Sequence, residues 1–269
     1  MKKVILLSGF LLLALFSMNA QEAPEQSENS DFDYGVALDF QIRYVWRGQL
    51  LGGSAPCIQP GTYINWKGLE FGVWGSYSLS TNPYAELDLY LSYTFWKDMF
   101  TVIFTDYGFP IEFASDFNFF DYKHNHVLEA GISYNGIEKV PVSLEFYINV
   151  FGADAVKQNE KNVYSMYSEL AYSPTWKKLG VDFRVFVGCA LNGPNYKYWG
   201  VDPTDMFTPM EFDAIGFYGN HKFAVVNTGI TATKSFKIHK KLTLPLSVGL
   251  IYNPAAKKAY FNASVGIAL

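Results

Sequence analysis

The chain has 269 residues and a formal net charge of −4, and 18% of its residues are aromatic while only 17% are charged. The acidic balance argues against nucleic-acid binding, and its cysteines, Cys57 and Cys189, do not form a disulfide framework. In soluble domains about a quarter of the residues are charged. The composition therefore favours a membrane protein, with a soluble secreted β-sandwich as the alternative.

The first predicted element is a secretory signal peptide over residues 1–20. Lys2 and Lys3 precede an apolar run, and small residues lead to a cleavage site after Ala20. The run is too short for a membrane-spanning helix. Cleavage would remove the two lysines and shift the formal charge from −4 to −4 − 2 = −6.

A polar stretch, residues 21–33, is expected to be a disordered periplasmic lead-in, and residues 34–269 are expected to form the folded domain. Residues 84–95 show its pattern most clearly, because apolar side chains alternate with polar ones at every second position. A side-chain period of 2 is that of a β-strand, and this length crosses a bilayer as a tilted strand.

The same alternation recurs along the domain. The predicted strands span residues 34–47, 57–66, 69–79, 84–95, 99–107, 126–134, 142–151, 163–172, 181–191, 223–233, 242–251 and 259–269. Connectors after the even-numbered strands are short, whereas residues 108–125 and 192–222 form much longer loops. An even strand count with short turns at one end and long loops at the other is typical of bacterial outer-membrane barrels. We therefore predict an all-β, transmembrane, antiparallel up-and-down barrel of about 12 strands with both termini in the periplasm.

Particular residues mark the two ends of this barrel. Trp66, Trp96 and Trp176 each precede a lysine at a short turn and are expected in an aromatic girdle at the periplasmic interface. The last strand ends on Leu269, which is similar to the C-terminal signal of barrel-assembly substrates. The strand over residues 99–107 has the weakest alternation, and one of its two phases aims Asp106 at lipid.

Three short motifs near the start of the domain carry a family resemblance. They are YVWRG at residues 44–48, IQPG at 58–61 and GLEFGVWGS at 68–76. Together they resemble the TorF-like family of porins, over the first quarter of the chain. The resemblance implies an outer-membrane barrel of a Gram-negative cell and a diffusion channel, without indicating a substrate or a catalytic residue.

Strand alternation places nearly every charge of the predicted strands inside the barrel. The predicted pore-lining residues are Arg43, Arg47, Gln59, Glu70, Glu86, Asp88, Glu129, Glu145, Glu169, Asp182 and Arg184, with Asp39 and Asn149 on the same face. Because buried charges need partners or water and carboxylates outnumber arginines here, we expect some water in the lumen and a preference for cations. Arg43 and Arg47 are expected to meet Glu86, Asp88 and Glu129 at a constriction.

The function predicted from these features is passive diffusion of small hydrophilic solutes through a monomeric outer-membrane channel. The expected partners are outer-membrane lipids, the solutes and the barrel-assembly machinery, with no cofactor, metal or nucleic acid. Twelve strands lie between filled eight-stranded barrels and open porins. A plugged barrel acting as a surface receptor or structural protein therefore stays an alternative, with the aromatic long loops as its contact surface.

An enzyme is the least favoured interpretation. A lipid-modifying enzyme would need Ser and His within hydrogen-bond reach, but His126 and Ser168 are outward-facing on strands that are not neighbours. The sequence has no GxSxG motif. His124 and His126 are interpreted as solvated loop residues rather than metal ligands.

Overall fold

The computed structural model describes residues 31–81, 83–110, 118, 120–202 and 205–269, with the side chains of residues 201–208 excluded. The predicted signal peptide and most of the lead-in lie outside the described residues. So do Phe113, Phe117 and Phe119 of the first long loop. Within the described ranges, no helix has the length and apolar character needed to span a bilayer.

All the regular secondary structure of the described residues consists of β-strands. In chain order they are β1 (Phe32–Gln41), β2 (Tyr44–Trp46), β3 (Gln49–Leu51), β4 (Cys57–Trp66), β5 (Leu69–Ser78), β6 (Ala85–Phe95), β7 (Phe100–Gly108), β8 (His126–Tyr134), β9 (Val142–Gly152), β10 (Met166–Tyr172), β11 (Thr175–Trp176), β12 (Val181–Ala190), β13 (Lys197–Asp202), β14 (Asp205–Asp213), β15 (Ala224–His239), β16 (Leu242–Asn253) and β17 (Lys258–Ala268).

Twelve of these strands form a closed antiparallel barrel. The wall strands are β1, β4 to β10, β12 and β15 to β17, and each pairs with the next wall strand in the chain. Pairing of β1 with β17, where Ala37 lies opposite Ala268, closes the cylinder. The predicted twelve-stranded up-and-down barrel is confirmed. Cys57 and Cys189 are free thiols on separate wall strands.

The wall has an apolar outer face and a polar inner face. On β6, Leu87, Leu91 and Tyr93 are exposed on the outside, while Glu86 and Asp88 are buried inside. The same alternation runs along β16 and β17. An apolar belt around a polar interior is the arrangement of transmembrane β-barrels, where lipid covers the outer face.

The two ends of the barrel differ as the connector lengths predict. Phe32 at the start of β1 lies opposite Trp66 beside a short turn, so both ends of the described wall lie at the short-turn end. Trp66, Trp96 and Trp176 are exposed at that same end. The long loops leave from the opposite end, which is the end that carries the candidate site.

The phase of β7, left open by the sequence, places Thr101, Thr105 and Tyr107 inside and Asp106 outside. Asp106 is paired on the outer face, because its Oδ1 lies 2.7 Å from Nδ1 of His126 on β8. The ring of Tyr122 stacks on His126 at 4.2 Å between centroids. The expectation of a solvated His126 is wrong, since its side chain is 1% exposed.

The predicted strand over residues 34–47 is confirmed as far as Gln41 and is wrong beyond it. β1 ends at Gln41, and the apolar alternation that continues through Tyr44 and Trp46 belongs to β2, which pairs only with β3. Period 2 identifies a strand but not the surface that its apolar side packs against. Here Tyr44 and Trp46 are buried inside the barrel instead of facing lipid.

Glycines on the inner face make room for tyrosines of neighbouring strands. A Cβ added to Gly72 would lie 2.1 Å from ring atoms of Tyr90, and one added to Gly131 would lie 2.4 Å from the ring of Tyr147. The rings therefore lie along the wall. Their hydroxyls donate to carboxylates, Tyr90 to Glu70 at 3.1 Å and Tyr147 to Glu145 at 3.1 Å.

Candidate functional site

A short hairpin formed by β2 and β3, residues Tyr44–Leu51, lies inside the barrel near the long-loop end. Its two turn residues, Arg47 and Gly48, have φ angles of 45° and 76°. Positive φ at both turn positions is the type I′ geometry that matches the twist of a two-residue hairpin. Gly48 suits this conformation, whereas arginine adopts it at a steric cost.

The two faces of the hairpin pack on different parts of the wall. Tyr44 and Trp46 join a buried cluster with side chains of β5, β7, β9 and β10. Val45 on the opposite face joins a second cluster with side chains of β10, β12, β16 and β17. At the turn, Asn253 of β16 donates to the carbonyl oxygen of Gly48 at 3.0 Å. The hairpin therefore spans the lumen between wall strands that are far apart around the barrel.

Arg47 at the hairpin tip forms an ion pair with Glu129 of β8. Its Nη2 donates to Oε1 of Glu129 at 2.9 Å, and its Nη1 donates to Oε2. Both side chains are buried, with exposures of 6% and 1%. The register of β8 against β9 shifts beside Glu129, a bulge of the kind that re-aims a side chain. The predicted contact of Arg47 with a facing carboxylate is present, although Arg47 reaches it from the hairpin.

Aromatic rings enclose the guanidinium of Arg47. Its Cζ lies 4.5 Å from the ring centroid of Trp46, 4.2 Å from Tyr147 and 4.6 Å from Tyr167. Tyr107 also donates to Glu129 at 2.9 Å. A buried charge needs both a counter-ion and satisfied hydrogen bonds to be tolerated, and this pocket supplies both. The tip of the hairpin is thereby fixed against one side of the lumen.

Tyr218, from the loop before β15, completes this cluster. Its hydroxyl accepts from Nη1 of Arg47 at 2.9 Å and donates to Oε2 of Glu129 at 3.2 Å, and its side chain is fully buried. Phe217 packs edge-on against Trp46 at 6.0 Å. Sequence analysis missed Tyr218, because a long loop has no periodicity to show which side chains turn inward. The signal that could have indicated it is the aromatic pair Phe217-Tyr218 between Gly216 and Gly219.

A second ionic cluster lies nearer the short-turn end. Arg184 of β12 donates to Glu145 at 3.0 Å and to Glu169 at 2.7 Å. Between Arg184 and Arg47 lies a cavity with about 20 Å³ of space for the centre of a water molecule, which is room for about one water. The predicted pore-lining residues Glu145, Glu169 and Arg184 therefore form one connected group.

The remaining predicted pore-lining residues are spread over the inner wall. Gln59 hydrogen-bonds to Gln41 and to Ser76, and Asp182 accepts from Thr175 near the short-turn end. Glu86 accepts from Tyr84 at 2.9 Å. Arg43 lies in the bend between β1 and β2, and its buried Nε makes no hydrogen bond within the described residues. Arg43 is therefore not a wall residue, and it is not paired with Glu129.

The aromatic and histidine residues of the first long loop divide between two environments. Phe109 packs against Tyr84 at 6.4 Å, whereas Phe120 is exposed. His124 is exposed as predicted, and its ring nitrogen lies 2.9 Å from Asp121. That hydrogen bond lowers the pKa of the Asp121 carboxyl below its ordinary value. The described residues contain no group of acidic, histidine and cysteine side chains suited to a metal ion.

The chain shares little sequence with the solved structures to which it is similar. No family model matches the sequence, and no curated protein is significantly similar to it. The TorF-like resemblance is thus not confirmed by a family match. The solved structure of the NanC porin is similar over 87% of this chain and 98% of its own, with 9% identity and a TM-score of 0.43. The translocator domain of the autotransporter NalP from Neisseria meningitidis is similar over 97% of this chain and 93% of its own, with 8% identity and a TM-score of 0.34.

Proposed function

We propose that the chain is an outer-membrane channel for small hydrophilic solutes, and that the Tyr44–Leu51 hairpin closes it in the conformation described above. The observation that carries this proposal is that the hairpin forms a two-stranded sheet of its own, separate from the wall. Removing it from the lumen would break no hydrogen bond of the barrel ladder. The long-loop end would face the cell exterior, and both termini would lie in the periplasm.

The lining of the barrel supports a water-filled open state. Its inner face is polar, with small hydroxyl and amide side chains such as Ser92, Thr101, Thr233, Ser247 and Asn262. Carboxylates outnumber guanidinium groups on that face. An interior meant to stay dry is at least as stable when it is filled with apolar side chains, so a polar lining favours conduction. The excess of carboxylates favours cations.

A closed scaffold is the second candidate. It is favoured by the low exposure of side chains deep in the lumen, where Ser92 and Thr233 are 2% exposed and Asn262 is 0% exposed. In that case the long loops would act by binding a partner outside the cell. Trp199, which is 73% exposed on β13, is the side chain best placed for such a contact.

Single-channel conductance in a planar bilayer distinguishes the two candidates. The refolded barrel is compared with a variant in which residues 44–54 are replaced by a short Gly-Ser linker. We expect small or infrequent conductance steps from the original chain and larger, longer-lived steps from the shortened one. A matched control variant lacks β13 and β14, which pair with each other and not with the wall, and is expected to conduct like the original chain.

The outcome is interpreted only for folded protein, shown by the heat-modifiable gel migration of a closed barrel. Folded original and shortened chains that both fail to conduct would contradict the channel and leave the closed scaffold. Equal conductance in both would show that the hairpin does not close the lumen.

A further inference from the structure

A second cavity lies between the hairpin and the wall strands β5, β6 and β7. It offers about 10 Å³ to the centre of a water-sized molecule. Five aromatic residues, one aspartate and one threonine surround it: Tyr44, Trp46, Trp74, Tyr90, Tyr107, Asp88 and Thr105. Tyr44 and Trp46 belong to the hairpin and the others to β5, β6 and β7, so the cavity exists only while the hairpin is inside the barrel.

The carboxylate that lines the cavity has an unsatisfied oxygen. Asp88 is 6% exposed, and its Oδ1 is buried and accepts no hydrogen bond from any described residue. A buried carboxylate oxygen without a donor is costly. The nearby ion pair does not satisfy it, since both terminal nitrogens of Arg47 are bonded to Glu129 and Tyr218. A donor supplied by a ligand would remove this cost.

The rest of the lining favours a positive charge. The hydroxyls of Tyr90 and Tyr107 donate to Glu70 and Glu129, and both residues line the cavity. Tyr44 and Trp74 lie 5.5 Å apart, and Trp46 and Tyr107 lie 5.6 Å apart, between ring centroids. Aromatic faces attract cations, and tryptophan attracts them most strongly. The guanidinium of Arg47 occupies a comparable aromatic pocket next to this cavity.

Size and donor chemistry restrict the class of ligand. The cavity has room for about one water-sized group, which excludes tetramethylammonium and larger quaternary amines. A metal ion needs several oxygen ligands, whereas the lining offers chiefly Asp88 and Thr105. Ammonium has the size of water, carries a charge and donates hydrogen bonds. It satisfies the carboxylate and faces the rings at the same time.

We propose that Asp88 and the aromatic cavity around it form a binding site for ammonium. The site is assembled from the wall and the hairpin together, so an occupied site stabilises the closed position of the hairpin. Binding at this site is independent of whether the barrel conducts.

Indole resonances report on this site directly. Protein labelled with ¹⁵N-tryptophan is refolded in detergent micelles, where both ends of the barrel face water, and is titrated with ammonium chloride. The resonances of Trp46 and Trp74, assigned by Trp→Phe substitution, are expected to shift and saturate. Those of Trp66 and Trp96 on the outer surface are expected to stay in place. Sodium chloride at equal ionic strength and tetramethylammonium chloride should shift neither Trp46 nor Trp74.

A charge-matched pair of variants locates the ligand. Asp88→Asn should weaken ammonium binding roughly tenfold or more, because a charge-assisted hydrogen bond is lost. Asp182→Asn removes the same charge near the short-turn end and should bind like the original chain. The proposal is overturned when ammonium shifts neither Trp46 nor Trp74 in the original chain, a test that needs no variant to fold. It is also overturned when folded Asp88→Asn binds with unchanged affinity.

Discussion

Arg47 and Glu129 are 82 positions apart in the chain and meet inside the barrel through paired hydrogen bonds. One residue belongs to the hairpin and the other to the wall, so the ion pair is a buried polar link between the hairpin and the wall strand β8.

Replacing Arg47 with alanine should release the hairpin. Glu129 would remain buried without its counter-ion, and breaking a buried ion pair from one side costs about 3–5 kcal/mol. We expect a lower urea midpoint, a larger single-channel conductance and a stronger cation preference in a salt gradient. Insertion into the bilayer should be retained, because the wall ladders are untouched.

The double variant Arg47→Ala with Glu129→Gln is the control for that result. It removes the uncompensated charge as well as the ion pair, so it should recover part of the lost stability while keeping the raised conductance. An unchanged reversal potential and conductance in Arg47→Ala would show that Arg47 does not lie on the permeation path.

Gly48→Ala should displace the hairpin without removing any charge. The position has a φ of 76°, and an added Cβ would lie 1.9 Å from the carbonyl oxygen of Val226 on the wall. Gly53→Ala is the matched control, since Gly53 has a φ of 70° but nothing within 4 Å of an added Cβ. Trypsin should cleave after Arg47 in folded Gly48→Ala protein and not in Gly53→Ala. Equal resistance of the two variants to cleavage would contradict a tightly seated hairpin.

Tyr218 should stabilise the closed lumen through both its ring and its hydroxyl. Tyr218→Phe removes two hydrogen bonds to charged groups, whereas Tyr218→Ala also leaves a cavity, for which losses of about 3–5 kcal/mol are typical of large aromatic side chains. Conductance should rise more in Tyr218→Ala than in Tyr218→Phe. Trp199→Ala, an exposed position of the same loop, should change neither stability nor conductance. A larger effect of Trp199→Ala than of Tyr218→Ala would favour a binding role for the loop.

The charge balance of the lumen should set ion selectivity. The double variant Glu86→Gln with Glu129→Gln removes two buried carboxylates near the hairpin and should shift the reversal potential toward anions. Its control is Glu138→Gln with Glu160→Gln, which removes the same charge from exposed positions. Equal reversal potentials in the two double variants would show that Glu86 and Glu129 do not line the path.

The orientation of the barrel is tested by epitope tags. A tag after Asn195, which is exposed at the long-loop end, should be labelled on intact cells. A tag after Glu138, in a short turn at the opposite end, should be labelled only after permeabilisation. The reverse pattern would invert the proposed topology.

Much of the wall was predictable because its signals are local. Alternation along residues 57–66 and 126–134 gave strands with the bounds that the structure has. The inward phase of Glu86, Asp88 and Glu129 follows from the same period of 2, because one face of every strand meets lipid. Leu128 and Glu129 show the limit of this rule, since their register shift at a bulge leaves no mark in the periodicity.

By itself the sequence determined the strand count, the sorting of short turns from long loops, and the polar lining with its excess of carboxylates. These depend on hydrophobic alternation, which each strand carries within about ten residues. Only the tertiary structure decided that Tyr44–Leu51 leaves the wall and that Tyr218 turns inward. It also decided that Arg47 pairs with Glu129 and that Asp106 pairs with His126. Those contacts join residues far apart in the chain, and their energy depends on which groups share the closed interior, a property that no single stretch of sequence contains.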